Sequence, residues 1–413
     1  MFPELHETFI LRELVALERR GVCFDIFSLQ YPRDPITLDD AIRLSTERTH
    51  YSALISLSTL AAFARDLVKQ PVAMLQAIKD VIWQGRDRPM DILKNLAVLP
   101  VSMHIAAQGK KLGITHWHGH WANVPTTACW YINRIHDNSW SAAIHGEDIF
   151  STNRFLRHKL NNACFSVVCS DYFCKHLKNE MRLDNPEHVH LNYHGLDPQV
   201  TQRQGKSLAE VSARAEVFSI VSIGRLVPTK GHDTLISACA SLLKNDTPVA
   251  LQIVGSGPQE QQLRELAMSL GIEKQVRFHG AMAFDDVLKT LEQADAFVLA
   301  PRLIPGQPPD GIPNVIAEAM ALGVPVISTR VSAIPELVGD EVSGLLVDVD
   351  DTDALAAAIN TLYAKPELAL QYSEAARKRV GQLFDQNENI DELLALFQRY
   401  VQDQFIETAI PAS

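Results

Sequence analysis

Short, predominantly apolar runs alternate with longer amphipathic stretches along most of this chain. Runs such as 217–223 and 249–254 are typical of parallel strands that are buried on both faces. Between them, at 232–244, apolar residues recur at the three- and four-residue spacing of a helix. Alternation of this kind predicts parallel sheets that are covered by helices.

The alternation falls into two successive series. The first begins with a helix at 7–20 and a strand at 22–27, passes through a helical region at 40–112, and then alternates regularly. A polar stretch at 198–215 predicts a linker. The second series predicts six strands, near 217–223, 249–254, 275–278, 296–300, 324–328 and 344–348.

Two such series predict an α/β protein with two Rossmann-like, doubly wound parallel-sheet domains that face each other across a cleft. We expect an N-terminal domain at 1–200, including the helical segment 40–112, and a C-terminal domain at 201–385. The amphipathic helix within 386–413 is expected to pack back toward the N-terminal domain. Ligands of such sheets bind at the carboxyl ends of the strands.

The composition excludes several classes of protein. A hydrophobic fraction of 46% and a charged fraction of 21% are ordinary for a soluble globular protein, and no apolar run is long enough to span a bilayer. The net charge of −11 argues against general nucleic-acid binding. Six cysteines without a Cys-x-x-Cys pair predict reduced thiols, and the N-terminus lacks the layout of a secretory signal. We therefore expect a cytoplasmic protein.

Two cations follow the first strand of the second series. Arg225 and Lys230 are flanked by Gly224 and Gly231, which allow close approach of the backbone. A guanidinium fork and an ammonium at the end of a strand can neutralise a diphosphate. The competing interpretation is a pair of solvated surface cations.

A second candidate element combines a helix N-terminus with two acids. Pro313 suits the first turn of a helix, so that the amides of 311–315 would face outward and attract phosphate. Asp310 would lie just outside this helix, and Glu318 one to two turns inside it. The competing interpretation is an acid that favours the helix dipole together with a Glu at the edge of the core.

Histidines cluster at the ends of strands in the first series. His145 follows the strand predicted at 140–144 and should project from the first domain. His116, His118 and His120 alternate, so they share one face of a strand and could resemble a metal site. No complementary acid lies nearby in sequence, and we therefore expect no metal; His120 is expected to line the cleft.

The turn at 254–258 could suggest a dinucleotide site. It contains Gly255 and Gly257, but Glu260 stands where the third glycine of that motif would be, and no ribose-binding acid follows at the expected distance. We interpret it as a tight turn.

Together these motifs resemble the retaining glycosyltransferases of family 4, which have two Rossmann-like domains (the B-type glycosyltransferase fold). The resemblance covers nearly the whole chain, and the donor-side motifs occur in the order of the family. Four segments resemble the branch of colanic acid and related exopolysaccharide glycosyltransferases: Glu7–Glu13, His118–Ala122, His145–Phe150 and Asp310–Asn314.

The resemblance implies a role for each candidate residue. Arg225 and Lys230 would hold the donor diphosphate, Asp310 and His145 the transferred sugar, and Glu318 the ribose. The residues expected to contact the nucleotide-sugar are Gly224, Arg225, Lys230, Gly255, His279, Gly280, Gly311, Ile312, Pro313, Asn314, Val315 and Glu318. The resemblance further implies that no cofactor or metal is required. It also implies a UDP- or GDP-linked donor and a saccharide acceptor, which is expected to be polyprenyl-linked.

Two features bear on the N-terminal domain. Segment 60–112 is basic and amphipathic, which suits either contact with the anionic inner surface of the plasma membrane or a solvated helical face. The family also opens with a strand before Glu7, and this strand is expected to be missing here.

Two other functions remain open at this point. A sugar-nucleotide epimerase or hydrolase on the same frame would form product without an acceptor. A non-catalytic scaffold at the membrane surface would bind a donor at most, without transfer.

Overall fold

The structure is a computed structural model that describes residues 2–4, 8–33, 38–86, 88–146, 149, 154–203, 205, 216–307, 309 and 311–401. The chain divides into two compact units. Unit 1 comprises Met1–Gly195 and Gln386–Ser413, and unit 2 comprises Leu196–Asp385.

The helices of unit 1 cover two parallel sheets. The described residues of its first segment form the helices α1 (Thr8–Arg19), α2 (Asp39–Glu47), α3 (Leu57–Lys69), α4 (Pro71–Gly85), α5 (Pro89–Leu112), α6 (Val124–His136), α7 (Arg154–Leu160) and α8 (Asp171–Asn179). Its strands are β1 (Ile26–Ser28), β2 (Thr49–Tyr51), β3 (His116–His120), β4 (Ser139–Ile144), β5 (Ser166–Val168) and β6 (Val189–Leu191).

The described strands of unit 2 form one six-stranded parallel sheet. Its strands are β7 (Phe218–Ile223), β8 (Val249–Val254), β9 (Val276–Gly280), β10 (Ala296–Val298), β11 (Val326–Thr329) and β12 (Leu345–Val347). Its helices are α9 (Pro198–Thr201), α10 (His232–Lys244), α11 (Glu260–Ser269), α12 (Phe284–Gln293), α13 (Asn314–Ala321), α14 (Ile334–Leu337), α15 (Thr352–Ala364) and α16 (Pro366–Leu383). The last helix, α17 (Gln386–Tyr400), belongs to unit 1.

In unit 1, β1 pairs with β2, and β3 to β6 form a separate sheet in the order β3-β4-β5-β6. Residues of β1 and β3 line one cavity of about 540 Å³. Within the described part of the chain, only side chains connect these two strands, as in the contact of Phe27 with Trp117 at 5.2 Å between ring centroids. The walls of this cavity include all three histidines of β3.

In unit 2, the sheet order is β12-β11-β10-β7-β8-β9, and every pairing is parallel. The inner strands are buried along most of their length, since Ile220, Val221 and Phe297 are fully buried. From β7 the chain turns first toward β8 and later to the other side, at β10. Ligands of doubly wound sheets bind where the order reverses in this way, here beyond the carboxyl ends of β7 and β10.

Local signals explain where many helices begin and end. Ser56 caps α3 in a capping box with Thr59, and prolines begin α4 and α5. Gly113 ends α5 in the left-handed conformation, with φ of 75°. No helix of the described residues has the length and apolar character to cross a membrane.

The predicted alternation is confirmed in type and order, and the fold class is that predicted. The region 40–112, predicted to be helical, also contains the short strand β2, which three half-buried residues form against β1. A strand of three residues is too short to show a periodicity in the sequence. Its position is set by its pairing with β1.

Candidate functional site

In unit 2, glycines allow the loops after β7, β8 and β10 to pack backbone against backbone. A Cβ atom on Gly255 would lie 2.0 Å from the carbonyl oxygen of Gly224, and one on Gly231 would lie 1.8 Å from that of Ala300. Both glycines have positive φ, of 134° and 66°. At Gly224, in contrast, an added Cβ would meet nothing closer than 3.6 Å. The close approach expected at Gly224 and Gly231 thus occurs at Gly231 and Gly255.

The loop after β7 carries the two predicted cations. Arg225 is exposed and Lys230 half-buried. A short 3-10 turn at Pro228–Lys230 precedes the left-handed Gly231, and the amide of Arg302 donates to the carbonyl of Thr229 at 3.0 Å. This bond joins the loops after β7 and β10 at the point where the strand order reverses.

Arg302 is a further cation in this region, which sequence reasoning missed. It forms an ion pair with Asp233 and donates to the Thr234 hydroxyl at 2.9 Å. Because its charge is matched by an acid, Arg302 holds the loop after β10 against α10. Arg225 differs from Arg302, because Arg225 is exposed and can contact a ligand.

Helix α13 begins immediately after the loop that follows β10. Pro313 is its N-cap residue, and no side chain of the described residues caps the helix. The first amides therefore keep their donor capacity, which suits an anion. Glu318 lies one turn inside α13 and is only 8% exposed, so a carboxylate stands behind the positive end of the helix.

The edge of the site toward β9 contains His279 and Gly280. Nε2 of His279 lies 3.0 Å from the side-chain oxygen of Gln252, and the carbonyl of Gly280 accepts from the amide of Gly255 at 2.8 Å. Burial, with Arg277 nearby, lowers the pKa of His279. These contacts hold the turn after β8 and the end of β9 together.

His232, at the start of α10, was also missed. It is 1% exposed, and its Nδ1 lies 3.3 Å from the Ser222 hydroxyl. Burial and then the charge of Lys230 lower the pKa of His232 to about 4. It therefore stands as a neutral ring beneath the loop that carries both cations.

In unit 1, His145 follows β4 directly, as predicted. It is 6% exposed, and its ring lies among Phe9, Trp121 and His194, at 4.9, 4.5 and 5.1 Å between centroids. Neither ring nitrogen has a hydrogen-bond partner among the residues described. Burial, followed by the neighbouring histidines, lowers the pKa of His145 well below its ordinary value. His145 is a neutral group with two unused polar atoms.

The loop after β3 supports this histidine. Trp121 has φ of 73°, which is strained for a bulky residue, and such outliers cluster at functional sites. Beneath the loop, the buried Lys159 donates to the carbonyl of Ala122 at 2.5 Å and to the hydroxyls of Thr126 and Thr127 at 3.0 and 3.1 Å. Sequence reasoning missed Lys159, because a lysine on an amphipathic helix is usually solvated.

His118 and His120 lie on one face of β3, with ring centroids 5.1 Å apart. The acid that was not found nearby in sequence comes from α1, where Glu13 places a carboxylate oxygen 3.2 Å from Nε2 of His120. Burial alone would raise the pKa of Glu13, but His120, through charge and a hydrogen bond, holds it below its ordinary value. Burial lowers the pKa of His118 to about 3.

The predicted site residues are divided between the two units. Unit 2 brings together the loops of Arg225 and Lys230, the turn at Gly255, the segment His279–Gly280, and the start of α13. His145 lies in unit 1. Asp310, predicted to hold the sugar, lies outside the described residues, as does Asp148.

Comparisons with known proteins match part of this chain to a family model. Residues 206–379 match the family described as Glycosyl transferases group 1. The putative colanic acid biosynthesis glycosyltransferase WcaL of Escherichia coli (strain K12) is 37% identical over 191 residues, which are 46% of this chain and 47% of that protein. The chain thus matches about half the length of this relative.

Two further similarities extend over more of the chain. The GDP-mannose-dependent alpha-(1-6)-phosphatidylinositol monomannoside mannosyltransferase of Mycobacterium tuberculosis (strain CDC 1551 / Oshkosh) is 29% identical over 73% of this chain and 71% of its own. The crystal structure of a glycosyltransferase from Rickettsia africae ESF-5 matches 97% of both chains with a TM-score of 0.71 at 16% identity. The chain therefore carries a glycosyl transferases group 1 domain on a GT-B fold, as the resemblance of its motifs indicated.

Proposed function

We propose that this chain is a retaining glycosyltransferase that moves a hexose-type sugar from a UDP- or GDP-linked donor to a saccharide acceptor in exopolysaccharide or cell-surface polysaccharide biosynthesis. The observation that carries the proposal is the arrangement at the strand-order reversal of unit 2. There an exposed Arg225, the loop of Lys230 and the uncapped start of α13 lie on adjoining loops. Cations and helix amides at one edge of a sheet suit a diphosphate.

Each part of the donor then has a proposed partner. Arg225, Lys230 and the backbone N–H groups of Gly311, Ile312, Asn314 and Val315 bind the diphosphate and stabilise the charge that it gains when it departs. Glu318 accepts hydrogen bonds from the ribose hydroxyls. His279 and Gly280 lie beside the base of the nucleotide. Asp310 and His145 bind the transferred sugar.

Retention follows from attack on the face that the leaving group vacates. The bond between the sugar C1 and the phosphate oxygen breaks, and its electron pair goes to the phosphate. The acceptor hydroxyl bonds to C1 on the same face, and its proton passes to the departing phosphate. In this scheme neutral His145 serves as a hydrogen-bonding and electrostatic group rather than as a general base.

Turnover of Arg225→Ala and Glu318→Gln tests the proposal. Each variant loses at least one charge-assisted interaction, which contributes about 1.5–3 kcal/mol to binding of the transition state. We therefore expect kcat/KM to fall by roughly tenfold to a hundredfold. Lys244→Ala, an exposed cation at the end of α10, is the control for net charge and should keep the wild-type rate. Near wild-type rates in both site variants would refute the proposed donor site.

We further propose that unit 1 rests on an anionic lipid surface, where a polyprenyl-linked acceptor would be found. Large apolar residues are exposed on α3, α4 and the start of α5, including Val68, Val72, Leu75, Trp83 and Leu93, each more than 60% exposed. Exposed basic residues accompany them: Lys69, Lys79, Arg86, Arg88 and Lys94. An apolar face bordered by cations favours the boundary of an anionic membrane.

Sedimentation with vesicles tests this surface. The wild-type chain should bind vesicles with anionic lipid, and less so in high salt or with neutral lipid. Replacing Leu75 and Trp83 together by serine should release it, while donor binding in unit 2 stays unchanged. Equal sedimentation of the double variant would overturn the membrane proposal and leave the donor site unaffected.

A further inference from the structure

Three potential metal ligands from distant parts of the chain converge on the wall of the cavity in unit 1. A carboxylate oxygen of Glu13, on α1, and one ring nitrogen each of His118 and His120, on β3, lie within 4.8 Å of one another. All three residues line the cavity of about 540 Å³ beside β1. The cavity gives an ion space for water ligands.

A chain of hydrogen bonds fixes which nitrogen of His118 keeps its lone pair. The Ser139 hydroxyl donates to the carbonyl of Thr115 at 3.4 Å, so its oxygen accepts from Nδ1–H of His116 at 2.9 Å. The neutral His116 ring then accepts the hydroxyl hydrogen of Ser141 at Nε2, over 2.8 Å. Because Ser141 has no second hydrogen, Nδ1 of His118 donates to it over 2.7 Å.

In this hydrogen-bond pattern the lone pair of His118 is on Nε2, a buried atom with no hydrogen-bond partner within the described part of the chain. Histidines that bind metals are commonly held in this way, with the other ring nitrogen donating to a neighbouring group. The distance of 3.2 Å between His120 Nε2 and Glu13 Oε1 also fits two ligands of one ion. Ligands at about 2.0 Å in a tetrahedron stand about 3.3 Å apart.

We propose that Glu13, His118 and His120 bind one divalent transition-metal ion of the zinc class. Two imidazole nitrogens and a carboxylate oxygen, with a water in the fourth position, form a donor set that such ions accept. Binding displaces the proton between His120 and Glu13, which moves to Nδ1 of His120, so that the ring binds the ion through Nε2 as a neutral imidazole. The ion ties α1 to β3 and so stabilises unit 1.

A neighbouring group provides the sharpest alternative. Ligand atoms of His145, Cys169 and His194 also lie within 4.8 Å of one another. That group contains a sulfur donor, whereas the proposed site contains only nitrogen and oxygen. The two sites can therefore be told apart by the first shell of the bound metal.

The wild-type chain, untagged and treated with a chelator, provides the first test. The chain is then loaded with zinc and dialysed to remove unbound ions. We expect one zinc ion to remain per chain, with an X-ray absorption spectrum that shows nitrogen and oxygen ligands, including imidazole. Loss of zinc on dialysis, or sulfur in the first shell, would overturn the proposal. No substitution is involved, so misfolding of a variant does not affect the result.

Variants provide the second test. His118→Gln should weaken zinc binding by at least about tenfold and abolish the rise in Tm that zinc causes in the wild type. Glu13→Gln repeats the test from α1 if His118→Gln does not fold, and Cys169→Ser is the matched control that should bind like the wild type. Zinc binding that depends on Cys169 and not on His118 or Glu13 would refute the site.

Discussion

At the scale of the residue, Lys159 shows how a buried charge positions a candidate site. Its ammonium is surrounded by backbone carbonyls and threonine hydroxyls beneath the loop that carries Trp121. Lys159 is 2% exposed, so its ammonium cannot turn to water instead. The loop next to His145 is thus held by a charge that does not itself reach a ligand.

We expect Lys159→Met to destabilise unit 1 by about 2–4 kcal/mol, because buried acceptors lose their donor at about 1–3 kcal/mol each, partly compensated by relaxation. Urea unfolding measures this. Lys175→Met, which breaks the exposed pair with Asp171, is the control and should change stability by less than about 1 kcal/mol. Equal effects of both substitutions would show that Lys159 does not hold the loop.

His232 makes a prediction about pH. Its pKa in the folded chain is about 4, against an ordinary value of 6.5, so the unfolded chain binds the proton more tightly. The stability that neutral His232 contributes is complete above about pH 6.5 and is lost as the pH falls toward 4. Nearby charges, Lys230 and Asp233, act in opposite directions on this shift.

We expect the free energy of unfolding of the wild type to fall between pH 7 and pH 5 by about 2 kcal/mol more than that of His232→Gln. Denaturant unfolding of both proteins at the two pH values gives this difference. The comparison with the variant removes the contributions of the other histidines. If the free energy of unfolding changed equally with pH in the two proteins, His232 would have the same pKa in the folded and unfolded chain.

At the scale of the element, the loops of unit 2 depend on glycine for reasons that differ between positions. Gly231 and Gly271 both have positive φ, of 66° and 70°. Only Gly231 is crowded, since an added Cβ at Gly271 would meet no atom within 4 Å. The pair separates backbone strain from loss of loop packing.

Gly231→Ala should therefore cost more stability than Gly271→Ala, which is expected to lose about 1 kcal/mol from strain alone. Because the loop of Lys230 must move away from Ala300, donor affinity should also fall by at least about tenfold in Gly231→Ala. Calorimetric titration with a nucleotide-sugar measures this. Unchanged affinity in Gly231→Ala would mean that the loop does not form the donor site.

The elements were predictable because most carry their own periodicity. Runs such as β7 and β8 are predominantly apolar, and α4 and α10 repeat at helical spacing, so type and order follow from local sequence. The strand β2 could not be predicted in this way, since it is short and its partner β1 lies 23 residues earlier in register. Its position is a property of the pair.

The site was predictable to a different extent. Gly231, Pro313 and Glu318 have local signals, namely a turn, a helix start and helical spacing. Glu13 beside His120, and Arg302 beside Asp233, are contacts between distant segments that no local pattern encodes. Lys159 was missed for the same reason, because its acceptors come from another element.

At the scale of the whole molecule, each unit has its own sheets and its own polar cluster. Unit 2 has cations and the start of a helix, whereas unit 1 has the neutral rings of His145 and His194. A charged diphosphate suits the first environment, and uncharged hydroxyls suit the second. This division of chemistry agrees with a donor that has a charged and an uncharged part.

The central claim is that Arg225 and its neighbours in unit 2 bind a diphosphate. The most direct measurement compares the affinities of the wild type and Arg225→Ala for the nucleoside diphosphate and monophosphate of the base that binds. The account predicts that Arg225→Ala loses at least about tenfold for the diphosphate and clearly less for the monophosphate. Equal losses for both nucleotides, or no loss for either, would contradict it.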